Sequence, residues 1–383
     1  MALHFDRDEY AARLARLQEA MAADKLDALL LFSQESMYWL TGYDTFGFTF
    51  FQCLIVKRDG HMALLTRSAD LRQARHTSII EEILVWADRA GADPTRMLKD
   101  HLFELDLLGA KIGVEYDSHG LTAKNGRLLD EQLRSFATLS DASPVVPGLR
   151  AIKSPAEIAM VRQAAALGDA AWQAGVARAA PGASEGAILA AMHTAIFEGG
   201  GDYPGNEFVI GSGRDALLCR YAAGRRTLEA SDQLTLEFAG VWRRYHSAVM
   251  DTVVIGPPRP RHEELFEAAS AALHAVVEAM RPGNTFGDVF HAHATVLNDR
   301  GMQAHKLNAC GYSLGATFTP SWMDTPMFYH GNPAPIEPNM VLFAHMILMD
   351  SETETAMTLG RTFLTSDGPA EPLSAIAPAL VVR

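Results

Sequence analysis

Glu237 sits in the run Leu234-Thr235-Leu236-Glu237-Phe238-Ala239-Gly240, an apolar stretch in which an ionisable group is out of place. A carboxylate buried among such residues is costly unless it is hydrogen-bonded or charge-paired, so its presence points either to a reactive site or to a buried ion pair with an arginine. Two histidines have the right unperturbed acidity for moving protons in both directions, His246 in Arg243-Arg244-Tyr245-His246 and His345 in Val341-Leu342-Phe343-Ala344-His345. A lone histidine in an apolar run is also a common satisfied core residue. Arg220 stays charged at any usable pH and suits clamping a carboxylate or an oxyanion, or equally a plain ion pair. Its neighbour Cys219 would be nucleophilic only with a base beside it; otherwise it is inert packing. Tyr312 lies in Gly311-Tyr312-Ser313-Leu314-Gly315, where glycines permit close backbone approach and the phenol can donate to a developing oxyanion or cap a turn.

The elements that must position these groups follow from periodicity. Residues 9–24 have helical apolar spacing, and LDALLLF, FQCLIV and HMALLT are short strand-like runs, so residues 1–148 read as an α/β domain closed by Pro144, Pro147 and Gly148. The second domain, 149–383, opens on Ser154-Pro155-Ala156-Glu157, a capping box with proline at the first helical position. Pro181-Gly182-Ala183-Ser184-Glu185-Gly186-Ala187-Ile188 recurs as Pro282-Gly283-Asn284-Thr285-Phe286-Gly287-Asp288-Val289, each before an amphipathic segment. Two copies imply two similar halves with a cleft between them. Residues 234–246 read as two short strands hinged near Gly240, and His291 and His293, two apart on a helix, point in different directions and read as structural or surface residues.

Bulk properties narrow the function. With 383 residues, 48% of them apolar, the chain can bury two sizeable cores. A net charge of -13 with scattered lysines and arginines disfavours nucleic acid. No run of about 18 apolar residues and no leader-like start is present, which predicts neither a membrane partner nor export. Cys53, Cys219 and Cys310 are odd in number and far apart, which fits a reducing cytoplasm rather than a disulfide framework or a thiolate zinc site.

Several segments together carry a family resemblance: Leu149-Arg150-Ala151-Ile152-Lys153-Ser154-Pro155-Ala156-Glu157-Ile158, Leu40-Thr41-Gly42-Tyr43-Asp44, Gly200-Gly201-Asp202-Tyr203-Pro204, Glu237-x-Ala239-Gly240, Arg243-Arg244-Tyr245-His246 and Gly311-Tyr312-Ser313-Leu314-Gly315. Over nearly its whole length the chain resembles the creatinase, prolidase and aminopeptidase P family. The resemblance implies a creatinase-like α/β N-terminal domain, and an α+β pita-bread C-terminal domain with pseudo-two-fold halves. Where metal-dependent members hold two ions, this sequence has Glu237, Ala248, Tyr312, His345 and Leu359 or Gly360. One carboxylate and one imidazole do not supply the shared oxygen donors that two hard cations need. The pattern resembles the metal-free branch typified by creatinase and ectoine hydrolase, with no metal and no cofactor expected.

That likeness selects His345, with Glu237, His246 and Tyr312, as the catalytic candidates. It places Arg220 where the family has a histidine, and Met250 and His345 where creatinase has the glutamates that hold its guanidinium, so creatine is a poor substrate candidate. Arg220, Cys219 and Tyr203 become substrate-binding candidates. Because the corresponding N-terminal loop reaches the partner's site in creatinase-like dimers, the resemblance also implies a homodimer, with Tyr43, Phe46 and Phe48 lining a pocket across its interface; plain core packing is the alternative reading for two of these three aromatics. The function expected is metal-independent hydrolysis of a non-peptide C–N bond in a small, carboxylate-bearing nitrogenous compound. The alternatives are a metal-dependent Xaa-Pro dipeptidase and a catalytically inactive member with a binding role.

Overall fold

The computed structural model describes residues 3–220 and 225–383. The chain divides into two compact units, Met1–Arg150 and Ala151–Arg383. In the first, helix α1 (Arg7–Ala23) is followed by β1 (Ala28–Leu31), α2 (Gln34–Thr41), β2 (Cys53–Lys57), β3 (Met62–Arg67), α3 (Leu71–Thr77) and β4 (Glu82–Trp86). Then come α4 (Pro94–Glu104), β5 (Lys111–Val114), α5 (Ala123–Leu133), β6 (Thr138–Asp141) and α6 (Val145–Ala151). The strands form one mixed sheet in the order β4-β3-β2-β1-β5-β6, parallel at β1–β5, β5–β6 and β3–β4. Both faces of the central strands are apolar, Leu30 and Ile55 on one side and Leu29 and Leu54 on the other, as a sheet covered on both sides requires.

The second unit begins where the capping box predicts. Ser154 caps α7 (Pro155–Arg178), its side chain accepting from the Glu157 N–H while Glu157 accepts from Ser154 N–H. Helix α8 (Glu185–Glu198), β7 (Val209–Ser212), β8 (Asp232–Trp242) and β9 (Tyr245–Ile255) complete a first half. The second half runs α9 (Pro260–Ala279), α10 (Phe286–Asp299), β10 (Ala309–Ser313), β11 (Asp324–Tyr329), β12 (Val341–Asp350) and β13 (Thr355–Leu364). The sequence repeat is a structural one. Gly182 and Gly283 take φ of +83° and +96°, and the hydroxyls of Ser184 and Thr285 then cap α8 and α10.

Among the described residues the main path of the sheet is β11-β10-β12-β13-β9-β8-β7, with the two halves joined at β13–β9. One face packs on the helices, where Met346, Leu348, Met357 and Leu359 meet Leu265, Leu273, Phe286 and Val289. Behind β9 the carboxylate of Asp251 is held by the Arg361 guanidinium, Nη2 to Oδ2 at 3.0 Å, and by the Trp172 indole N–H.

β8 does not hinge at Gly240. It continues unbroken to Trp242, and the reversal falls on Arg243 and Arg244, both at positive φ, +48° and +70°. Two positive φ values are what a tight two-residue hairpin turn demands, and Asp202 Oδ2 accepts the Arg244 N–H at 3.2 Å. Gly240 has a different purpose. A Cβ there would lie 2.0 Å from the Ala164 carbonyl and 2.3 Å from the Gly168 nitrogen, so its absence lets α7 settle directly on the strand.

Candidate active site

On the face away from the helices, hydrogen-bonded register links Glu237 of β8 to Met250 of β9, Met250 to Gly360 of β13, and Gly360 to His345 of β12. The alternation of strand side chains settles one ambiguity left by the sequence: Gly360 belongs to this row, and Leu359 is packed with the helices behind. Next to the row lie Ala248, Phe343 and Tyr312. On its other side Thr235, Thr252 and Thr358 form a hydroxyl ladder, with Thr252 Oγ1 3.1 Å from Thr358 Oγ1.

Tyr312 joins the ends of this surface. Its Oη donates to Glu237 Oε1 at 3.2 Å, and its ring centroid is 5.7 Å from that of His345. Yet β10 and β8 are four strand spacings apart in the sheet order, roughly 19 Å if the sheet were flat. The hydrogen bond therefore requires the sheet to curl, and other contacts record the same curl. Thr317 N–H donates to Arg244 O and His246 N–H to Gly315 O, tying the segment after β10 to the β8–β9 turn.

Electrostatics distinguish the candidates. Desolvation raises the Glu237 carboxyl to about 7, against the opposing effects of the Tyr312 hydrogen bond and the Arg220 charge. His345 is buried and brought down to about 4 by desolvation, and its Nδ1 has no hydrogen-bond partner among the described residues. Burial pushes the Tyr312 phenol well up, and the Glu237 charge pushes it further. Arg220 is exposed, and its charge reaches Glu237, Tyr312, His345 and Cys219, although no hydrogen bond or ion pair of its guanidinium is found among the described residues. Burial first, and then Glu237, raise the Cys219 thiol, which leaves it protonated near neutrality and a poor nucleophile.

His246 differs from its sequence reading as a proton carrier. It is fully buried, with Nε2 accepting the Gly205 N–H at 2.9 Å and Nδ1 facing Thr317 Oγ1 at 3.1 Å. An accepting Nε2 fixes the neutral tautomer with its proton on Nδ1, and desolvation lowers the ring to about 4. Both nitrogens are thus committed to holding two loops, and none of its hydrogen bonds goes to Glu237. Tyr203 is 74% exposed and stands edge-on to Phe197, beside a cleft of ≈ 690 Å³ that His193, Asn206, Phe208 and Pro320 also line. Of the N-terminal aromatics, Tyr43 is completely buried with its hydroxyl donating to Gln52, and Phe48 is buried, so neither is available to line a pocket at an interface. Phe46 is 80% exposed. His293 is buried and His291 exposed, on opposite sides of α10.

The residue that the sequence reading missed is Trp322. Buried within the loop between β10 and β11, it donates its indole N–H to Tyr312 Oη at 2.9 Å and its backbone N–H to Asn206 Oδ1 at 3.0 Å. The available signal was a tryptophan in Pro320-Ser321-Trp322, a polar loop segment, because a buried indole needs an acceptor for its N–H.

The chain belongs to metallopeptidase family M24, whose sequence profile matches residues 159–366; the creatinase/prolidase N-terminal domain matches 13–152. It is 28% identical over 393 residues to an uncharacterized hydrolase/peptidase of Sinorhizobium fredii, covering 100% of this chain and 99% of that one. It is also 28% identical to ectoine hydrolase of Halomonas elongata, over 85% of this chain and 86% of the relative. Among solved structures, a prolidase from Thermococcus sibiricus superposes with a TM-score of 0.87 at 19% identity, covering 98% of this chain and 99% of that one. Dipeptidase PepE from Mycobacterium ulcerans gives 0.85 at 23%, covering 99% of each chain. The architecture is accordingly that of a creatinase-like N-terminal unit and a pita-bread C-terminal unit, and the protein is an M24-family hydrolase.

The family implies metal ions, and the residues here do not fit them. The row reads Glu237, Met250, Gly360 and His345, with Ala248 and Tyr312 beside it, so the face offers one carboxylate and one imidazole. Among the described residues no group of three or more histidines, cysteines, aspartates or glutamates is gathered where an ion could be held. Hard divalent ions require several oxygen donors at once.

Proposed function

We propose that this protein is a metal-independent hydrolase of a non-peptide C–N bond in a small, carboxylate-bearing nitrogenous compound. The observation that carries the reading is the single carboxylate of Glu237, brought to about 7 on a concave face that otherwise offers a phenol, a neutral imidazole and a guanidinium. A base whose pKa lies near the working pH is well matched to proton transfer in either direction.

In this mechanism ionised Glu237 takes a proton from water, and the water oxygen bonds to the carbon of an amide or amidine. The proton then passes from Glu237 to the leaving nitrogen as the C–N bond breaks, regenerating the carboxylate. Arg220 holds the substrate carboxylate, and the unpartnered Nδ1 of His345 supplies a polar contact for the bound substrate. His246 keeps the Gly205 and Thr317 segments in place. The 28% identity to ectoine hydrolase over most of both chains supports a non-peptide substrate. The solved prolidases share the fold, and an Xaa-Pro dipeptidase is the alternative that this donor set disfavours.

The test is product formation, followed by NMR, from ectoine, creatine and Ala-Pro, using chelator-treated protein with and without added manganese or zinc. Turnover of a non-peptide substrate by treated protein supports the proposal. Dipeptide cleavage that appears only after metal addition refutes it.

A further inference from the structure

We infer that Trp322 is a positioning residue that acts through Tyr312 to set the protonation of Glu237. The phenolic oxygen of Tyr312 has two in-plane directions for hydrogen bonding. The Trp322 indole N–H occupies one of them at 2.9 Å, which leaves the hydroxyl proton to point along the other, toward Glu237 Oε1 at 3.2 Å. An indole can only donate, so this arrangement cannot reverse while Trp322 is in place. Tyr312 is thereby held as a donor to the carboxylate, the form in which Glu237 is a base.

Trp322 is itself fixed by the segment that precedes β7. Its backbone N–H donates to Asn206 Oδ1, and the neighbouring Gly205 N–H donates to His246 Nε2. The chain of contacts from His246 through the 205–206 loop to Trp322, Tyr312 and Glu237 gives His246 a role in the same device. Its ring lies 6.4 Å from that of Trp322, and its two nitrogens face Gly205 and Thr317. If the indole N–H is removed, Tyr312 can turn its hydroxyl away and accept a hydrogen bond from the neutral Glu237 carboxyl instead, which favours the acid and raises its pKa.

The inference concerns the site on which the proposed function rests, but its test needs no substrate and stands apart from that reading. The ionisation of Glu237 is followed by infrared difference spectroscopy of the carboxyl band against pH, with Glu237→Gln as the blank. In Trp322→Phe the midpoint is expected to rise by about one pH unit, the size of one net hydrogen bond. In a Tyr312→Phe background the further change Trp322→Phe is expected to have no effect, because the intermediary is gone. An unchanged midpoint in folded Trp322→Phe, or equal shifts with and without Tyr312, overturns the inference. Should Trp322→Phe lose its native circular dichroism, replacing the Trp322 indole by the isosteric benzothiophene side chain decides in its stead: it removes the N–H that donates to Tyr312 while keeping the ring in the core. An upward move supports the inference and none overturns it.

Discussion

Glu237 and His345 occupy equivalent positions in the two halves of the second unit. Each lies on the penultimate strand of its half, opposite Met250 and Gly360 respectively, and those two residues pair with each other where the halves join. The repeated scaffold thus presents an acid at one end of a row and an imidazole at the other. The environment pushes the two in opposite directions, the acid up to about 7 and the imidazole down to about 4, so that between these values both are largely uncharged, and the acid ionises as neutrality is passed.

That arrangement fixes a pH profile. Because Glu237 must be ionised to act as a base, kcat/KM should fall about tenfold per pH unit below 7 and level off above it. No second limb from His345 is expected above pH 5. Glu237→Gln should lower kcat by about 10²–10⁴-fold and abolish the limb. A limb retained in that variant would assign it to another group.

The same carboxyl should weaken the fold as pH rises. Its folded pKa of about 7 exceeds the ordinary 4.5, so between these values the folded state holds a proton that the unfolded state has lost. Stability contributed by the neutral acid is therefore lost through this window, and above pH 7 the whole cost of ionising the group remains. Urea denaturation should find Glu237→Gln more stable than the parent by about 1–3 kcal/mol at pH 8, with a smaller difference at pH 5. Equal differences at both pH values would remove burial as the cause.

Arg220 is expected to act on binding. Arg220→Gln should raise KM at least about tenfold for a carboxylate-bearing substrate and much less for its methyl ester, as loss of a charge-assisted hydrogen bond requires. It should also move the acid limb upward, because the guanidinium favours ionised Glu237. Loss of kcat with no change in KM would place its role in the chemical step.

Of Tyr43, Phe46 and Phe48, Phe46, 80% exposed, is the one suited to bury itself against a second copy of the chain. Sedimentation should show the parent as a dimer and Phe46→Glu shifted toward monomer. Identical sedimentation of the two would take Phe46 out of any interface.

Much of the scaffold was legible because local chemistry dictates it. The Ser154–Glu157 capping box and the two Pro-Gly turns use donors, acceptors and φ values that a few neighbouring residues determine alone. Glu237 was legible for a similar reason, since a carboxylate in an apolar strand needs an explanation. What stayed hidden was set by contacts distant in sequence. Gly240 looked like a hinge and is a docking point for Gly168, 72 positions earlier. His246 looked like a proton carrier until Gly205 and Thr317 were seen to take both its nitrogens. Tyr43 looked available at an interface, but Gln52 and the surrounding core hold it inside.

The curl of the sheet gives the Tyr312–Glu237 contact a meaning for assembly. The two residues belong to different halves and are 75 positions apart, so neither half can form this part of the site alone. Loop closure must be paid before the hydrogen bond forms, which puts the carboxyl's final acidity among the late events of folding. During refolding the protonation of one side chain would therefore report that both ends of the sheet have met.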